Sequence, residues 1–384
     1  MTQVSAVRDV VIVGGGIAGA SAAYFLAQAG QRVVLLERET QPGYHSTGRS
    51  AAMFTETYGP PLIRALTAAS RIFLESPPHG FAEHPLLTPR GVLMVAAAGE
   101  EPELARFIRE AGGTVALEAL SATQARERVP VLQPAAAVAA ALEPAAMDID
   151  VHALLWGFVR QFRRAGGELV TDAEVVSIRR DGARWRLADR SGRVFEAGVV
   201  VNAAGAWADE LARLAGVAPL GLVPKRRTAL TVEVDPALGV GGWPMVSTVS
   251  EGYYFKPDAG RLLVSPADET PTVPQDVQPE DLDIAIAIDR FTTATAIEVK
   301  RPASTWAGLR SFFGDGLPVS GFDPAAPGFY WLAGQGGYGI QTSPAMGRLA
   351  AALIADSGVP EDLLARGVSA GALAPGRAGL RRSG

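Results

Sequence analysis

Three glycines, Gly14, Gly16 and Gly19, stand at G-x-G-x-x-G spacing behind the apolar run Asp9-Val10-Val11-Ile12-Val13. The run reads as a buried strand of a parallel sheet. Gly14 permits a tight turn, Gly16 lets a pyrophosphate approach the backbone, and Gly19 lets helix and strand pack closely. Phosphates would sit at the helix N-terminus, where free N–H groups and the helix dipole favour anions. Helical composition runs from Ile17 to Ala29, Gly30-Gln31 turns the chain, and Arg32 to Leu36 forms a second strand ending at Glu37. A carboxylate there accepts hydrogen bonds from the ribose hydroxyls of an adenosine. Glycines alone are a weak signal; strand, turn, helix, strand and acid together predict a dinucleotide site.

Other segments could meet the same ligand. Pro42 to Ala52 is small, polar and glycine-rich, suited either to a ligand-facing loop or to ordinary surface. Gly198 to Asn202 is another apolar strand, and Ala203-Ala204-Gly205-Ala206-Trp207 opens a helix reaching about Leu214. Phe329 to Ala333, the glycine loop 334–339 and a helix over Ser343 to Ala355 repeat the motif a third time.

Composition narrows the possibilities. With 384 residues, 48% of them hydrophobic, the chain has material for two domains or one elaborated domain. A net charge of −5 argues against nucleic acid. No Cys is present, which excludes disulfides, zinc thiolates, thiol nucleophiles and a cysteinyl cofactor link. The four His residues show no metal spacing. No apolar stretch nears the ~20 residues of a bilayer span, and the N-terminus lacks the basic region of a signal peptide, so a cytoplasmic location is the default expectation.

In the intervening chain, helices are expected over 60–75, 101–110, 121–128 and 151–165, the last capped by Asp150. A strand is expected over 91–95. The Ala-rich stretch 134–146 reads as a linker. Short strands with hairpin turns follow over 169–195, and from Pro224 alternating strands suggest an antiparallel sheet interrupted by one helix over 282–296. The tail after Pro375 reads as disordered.

The sequence resembles the D-amino acid oxidase and dehydrogenase (DAO) family of flavoproteins. The likeness rests on VIVGGGIAGAS with Glu37, STGRSAA, VNAAGAWAD and AGQGGYGIQTSPAMG. Within the family the bacterial FAD-dependent D-arginine dehydrogenases are most similar, through GYHSTGRSAA, LTAASR, HPLL-x-PR, PKRR, TWAGLRSF and QGGYGIQTS. The resemblance implies an α/β fold, a glutathione-reductase-like Rossmann FAD domain with an interleaved antiparallel-sheet substrate domain. Its segments would be 1–85, 147–223 and 311–370 for FAD, 86–146 and 224–310 for substrate, with 371–384 as a disordered tail. It implies non-covalent FAD on Gly14, Gly16, Ile17, Ala18, Gly19, Glu37, Arg38, Ser46, Thr47, Ser50, Ala51, Val175, Ala203, Gly205, Gly336, Gly337, Tyr338, Gly339, Ile340 and Gln341. It places a substrate carboxylate between Arg227 and Arg310, Tyr58 and Tyr254 closing the pocket, and the Gly308 carbonyl facing the amine. Met53, Thr55, Val92 and Gln341 would line the side-chain pocket.

Two positions depart from the D-arginine enzymes. Val92 stands where they carry a glutamate for the guanidinium, and Met53 where they carry a histidine. A guanidinium beside a buried Val would be left unpaired at high cost. The expectation is therefore oxidation of neutral, apolar D-amino acids to imino acids, then to 2-oxo acids and ammonia, with oxygen or a quinone taking the electrons. Alternatives are a secondary-amine, sarcosine- or glycine-type oxidase of the same fold, a D-arginine dehydrogenase proper, an NAD-binding dehydrogenase, and a silent flavin-binding protein.

Overall fold

The first strand, Arg8–Val13, lies at the centre of an eight-stranded sheet. In the computed structural model, which describes residues 8–113 and 115–380, it pairs in parallel with Val33–Leu36 and Val194–Asn202. Glu168–Val170 extends one side in parallel, and Phe329–Ala333 and then antiparallel Val319–Phe322 extend the other. Alternation divides the central strand between two cores. Val10 and Ile12 pack with the helices Ile17–Gln28, Val151–Arg164 and Gly339–Ile354. Val11 and Val13 pack on the opposite face with Trp185, Leu187, Leu211 and Trp331.

The second sheet has nine strands. Its order runs Ser304–Phe312, Val223–Val232, Arg261–Ser265, Tyr254–Asp258, Met245–Thr248, Val92–Ala96, Ala139–Glu143 and Glu118–Ser121, with Thr270–Pro271 also on Val223–Val232. The expected antiparallel arrangement holds except where Met245–Thr248 runs parallel to Val92–Ala96. A small third sheet, Met53–Phe54, Met147–Ile149 and Leu87–Pro89, was not foreseen.

Three expectations are corrected. The Ala-rich stretch is no linker, because Ala139–Glu143 is a nearly fully buried strand between two partners. Small side chains, poor in intrinsic strand preference, suit it because the second sheet packs tightly there. The tail is ordered well past residue 371: Ala370–Leu373 is helical, and Arg377 donates to Asp315 at 2.7 Å and to the Pro318 carbonyl at 3.0 Å. Residues 381–384 of that expectation lie outside the described residues. The last long helix also starts earlier than read, at Gly339, despite Pro344. The carbonyl of Ile340, which Pro344 cannot pair, accepts the Ser343 hydroxyl instead at 2.9 Å.

Candidate active site

The glycine motif forms a cradle with no room for side chains. Gly14 has φ +112°, and a Cβ there would sit 2.3 Å from the Ala203 carbonyl oxygen. At Gly19 a Cβ would meet the Gly14 carbonyl oxygen at 1.9 Å. Gly16 ends the turn as N-cap, contributing no side-chain cap to the helix. The Ile17 N–H donates to the Thr47 hydroxyl at 3.0 Å, which ties the loop 42–52 to the helix start. Backbone and small residues therefore border this turn, leaving the close approach to the helix start that a pyrophosphate requires.

Glu37 follows the second strand and is 7% exposed. It accepts the N–H groups of Gly15 at 2.8 Å and Glu39 at 2.9 Å. Burial pushes its carboxyl above the ordinary value, and those two N–H groups oppose the shift. Nearby, Arg38 stacks 4.4 Å over Trp207, and His45 lies between Trp207 and Glu39, its Nε2 2.9 Å from the carboxylate. Burial lowers the His45 pKa despite that partner.

These groups open onto a cavity of about 420 Å³. Its walls include the expected Gly14, Gly16, Ile17, Ala18, Glu37 and Arg38; the loop residues Ser46, Thr47, Ser50 and Ala51; and Val175, Ala203 and Gly205 from the second motif. Gly336, Gly337, Gly339 and Ile340 arrive from the third. Three strand–turn–helix units thus meet at one cavity. Gly19 shapes the turn from behind. Tyr338 and Gln341, expected on the cofactor, line a different cavity.

The second sheet supplies the opposite wall. Register pairs Arg227 with Gly308 and Lys225 with Arg310, so alternation puts Arg227, Gly308 and Arg310 on one face. Arg226 points the other way, to Asp283 at 2.9 Å and to Glu280. Arg227 donates to the Asp268 carbonyl at 2.8 Å and pairs with Glu269 at 3.0 Å. Arg310 donates to the Tyr58 hydroxyl at 3.1 Å, and among the described residues no carboxylate lies within ion-pair distance of it. Arg49, missed within STGRSAA, fastens the loop to this wall. It donates to the Val277 and Ala307 carbonyls at 3.0 Å each and pairs with Asp276, while the Ser46 hydroxyl donates to the Leu309 carbonyl at 2.7 Å.

A second cavity, about 410 Å³, adjoins the first along Ser50, Ala51, Arg227, Tyr254, Arg310 and Gly337. Met53, Thr55, Tyr58, Val92, Met245 and Tyr338 line it. Tyr58 and Tyr338 stand 4.8 Å apart, and burial raises the Tyr338 pKa. Gln341 lines it too, but its amide is committed: Oε1 accepts the Thr55 N–H at 3.1 Å and Nε2 donates to Thr67 at 2.9 Å. Two further residues escaped the sequence reading. Thr57 gives no motif signal, and Glu143 sits in the stretch read as a linker.

The chain's sequence matches the family described as FAD dependent oxidoreductase (DAO) over residues 9–353. Glycine oxidase from Geobacillus kaustophilus is 29% identical, the match covering 90% of this chain and 92% of that one. Its crystal structure superposes with TM-score 0.80 and 27% identity, covering 92% of this chain and 95% of that one. L-2-hydroxyglutarate dehydrogenase from Escherichia coli K12 is 27% identical over 55% of this chain and 50% of that one. L-alpha-glycerophosphate oxidase from Mycoplasma pneumoniae, solved with FAD bound, shares the fold at TM-score 0.81 and 20% identity, covering 91% and 95% of the two chains. The glycine cradle, buried acid and adjoining cavity fit such a dinucleotide. Among the described residues no cluster of His, Asp or Glu could hold a metal, and no helix is long and apolar enough to cross a membrane.

Proposed function

The chain belongs to the DAO family of FAD-dependent oxidoreductases acting on amines or amino acids, and we propose that its substrate is a D-amino acid with a neutral side chain. One observation carries the reading. Arg310 presents a guanidinium without a carboxylate partner where the two cavities join, with Arg227 on the same sheet face. A cation left unpaired at a cavity wall is costly unless an anion arrives to answer it. The substrate carboxylate is that anion. Two arginines give it charge-assisted hydrogen bonds, each worth about 1.5–3 kcal/mol when well made.

Bound FAD supplies the hydride acceptor for the substrate Cα–H. The chain does the rest by placement. Arg310 and Arg227 fix the carboxylate, the Gly308 carbonyl accepts from the amine, and Tyr58 and Tyr254 close over the pair. Cα is thereby held at the border between the cavities, and the side chain extends into the second. The substrate amine reacts in its neutral form, so no protein base is called for. Loss of hydride and one amine proton leaves an imino acid, which water hydrolyses to a 2-oxo acid and ammonia. Oxygen or a quinone then removes the electron pair. The D configuration rests on the likeness of the loop and strand strings to the D-amino acid enzymes.

Val92 is 6% exposed and with Met53, Met94 and Met245 gives the second cavity an apolar stretch of wall, while the carboxylate among its lining residues, Glu251, is exposed to solvent. A second reading, glycine or an N-methyl amine as substrate, is favoured by the likeness to the Geobacillus enzyme. Anaerobic mixing of the yellow holoenzyme with glycine, sarcosine and neutral D-amino acids separates the two. Faster flavin bleaching by the larger D-amino acids supports the proposal, and bleaching confined to glycine and sarcosine replaces it with the second reading.

A further inference from the structure

Glu143 is 2% exposed and stands directly across the ladder from Val92. It accepts three hydrogen bonds from consecutive residues: the Thr55 hydroxyl at 2.6 Å, the Glu56 N–H at 2.8 Å and the Thr57 hydroxyl at 2.6 Å. Among the described residues it has no ion pair. Thr55 and Thr57 both line the second cavity. A hydroxyl that donates its only proton to a carboxylate has lone pairs alone left to offer. Donation to a charged acceptor also polarises it and strengthens it as an acceptor in turn.

We propose that Thr55 and Thr57, held proton-inward by Glu143, make this wall an acceptor-only recess that selects neutral side chains ending in a hydrogen-bond donor, such as a carboxamide. The inference rests on the amino-acid reading above and names the substrate class of the same site. An aliphatic side chain brings no donor to these two hydroxyls, whose oxygens lie 3.1 Å apart, and so gains no hydrogen bond there. A cation finds no carboxylate in the buried wall: Glu143 lies behind the threonines, Met53, Val92, Met94 and Met245 are apolar, and the lining carboxylate, Glu251, is exposed. Glu143 acts through the threonines and is a positioning residue. It also fixes the segment that leads into Tyr58, the partner of Arg310.

The test compares D-Gln with D-Met, of similar length, in anaerobic flavin reduction by the holoenzyme. Wild type is expected to favour D-Gln at least about fivefold in the apparent second-order rate. Thr57→Val should bring that ratio near one, and Thr57→Ser should keep it. Glu143→Gln should also shrink the ratio; should it fail to fold, the threonine pair carries the test. An unchanged ratio in Thr57→Val overturns the inference, as does D-Lys outperforming D-Gln. Perturbation of flavin absorbance by 4-carbamoylbutanoate against 5-methylhexanoate reads the recess without turnover. Tighter binding of the carbamoyl acid, with no amino acid reducing the flavin, leaves the recess standing and removes the amino-acid reading. Equal binding removes the recess.

Discussion

Replacing Arg310 by Met removes a guanidinium at the cavity border that no carboxylate among the described residues partners, while keeping a side chain of similar reach. The structure sets the size of the effect. Arg310 makes a hydrogen bond to Tyr58 at 3.1 Å and no ion pair among the described residues, so its removal strands none of their carboxylates. The loss should fall on substrate, at about 1.5–3 kcal/mol for a charge-assisted bond, or about 10- to 150-fold in kcat/KM. Arg227 differs, because it also holds the Asp268 carbonyl and Glu269. Arg227→Met should cost at least about tenfold and lower Tm as well. The assay is steady-state oxidation of a neutral D-amino acid, with flavin-to-protein ratio and Tm measured on each variant. Near wild-type kcat/KM in Arg310→Met, at full flavin content, would refute the placement of the carboxylate.

Gly19→Ala should yield protein without flavin or no soluble protein, since its Cβ would lie 1.9 Å from the Gly14 carbonyl oxygen; Gly30→Ala, with φ +81° but open space, should keep flavin and cost about 1 kcal/mol by chemical denaturation. FAD should be released into the supernatant on acid precipitation, because the chain has no Cys to link it; colour retained on the pellet would indicate a His or Tyr link. Asp189 offers a pH test. Burial would raise its carboxyl, but Ser191 and Arg193 donate to it and hold it below its ordinary 3.8. Its contribution, about 1–3 kcal/mol relative to Asp189→Asn, should be complete above that value and vanish as pH falls through the lower folded-state value, read by denaturation at pH 7 and below pH 3.

The dinucleotide cradle was legible because its causes are local. Gly14 and Gly19 are required by contacts with neighbours a few residues away or one strand over, and the strand ending at Glu37 announces itself by composition. The three strand–turn–helix units could also be read individually, each from a short apolar run and small residues. Their convergence depends on sheet order, which no local pattern encodes. Arg310 and Arg227 were legible only through family likeness, since an arginine in a strand is ordinary until its register partner is known. Glu143 was hidden because its strand is built of alanines, whose burial comes from sheet packing rather than propensity. Thr57 and Arg49 act through long-range contacts with residues 143, 277 and 307, and sequence spacing carries no trace of those.

Anaerobic mixing of the holoenzyme with a neutral D-amino acid, such as D-Gln, carrying hydrogen or deuterium at Cα reads the central claim in one trace. The account predicts that the D enantiomer bleaches the flavin, that deuterium slows the bleaching, that the L enantiomer does not react, and that a 2-oxo acid appears in equal amount to the flavin reduced. Bleaching by a 2-hydroxy acid and by no amino acid would contradict it.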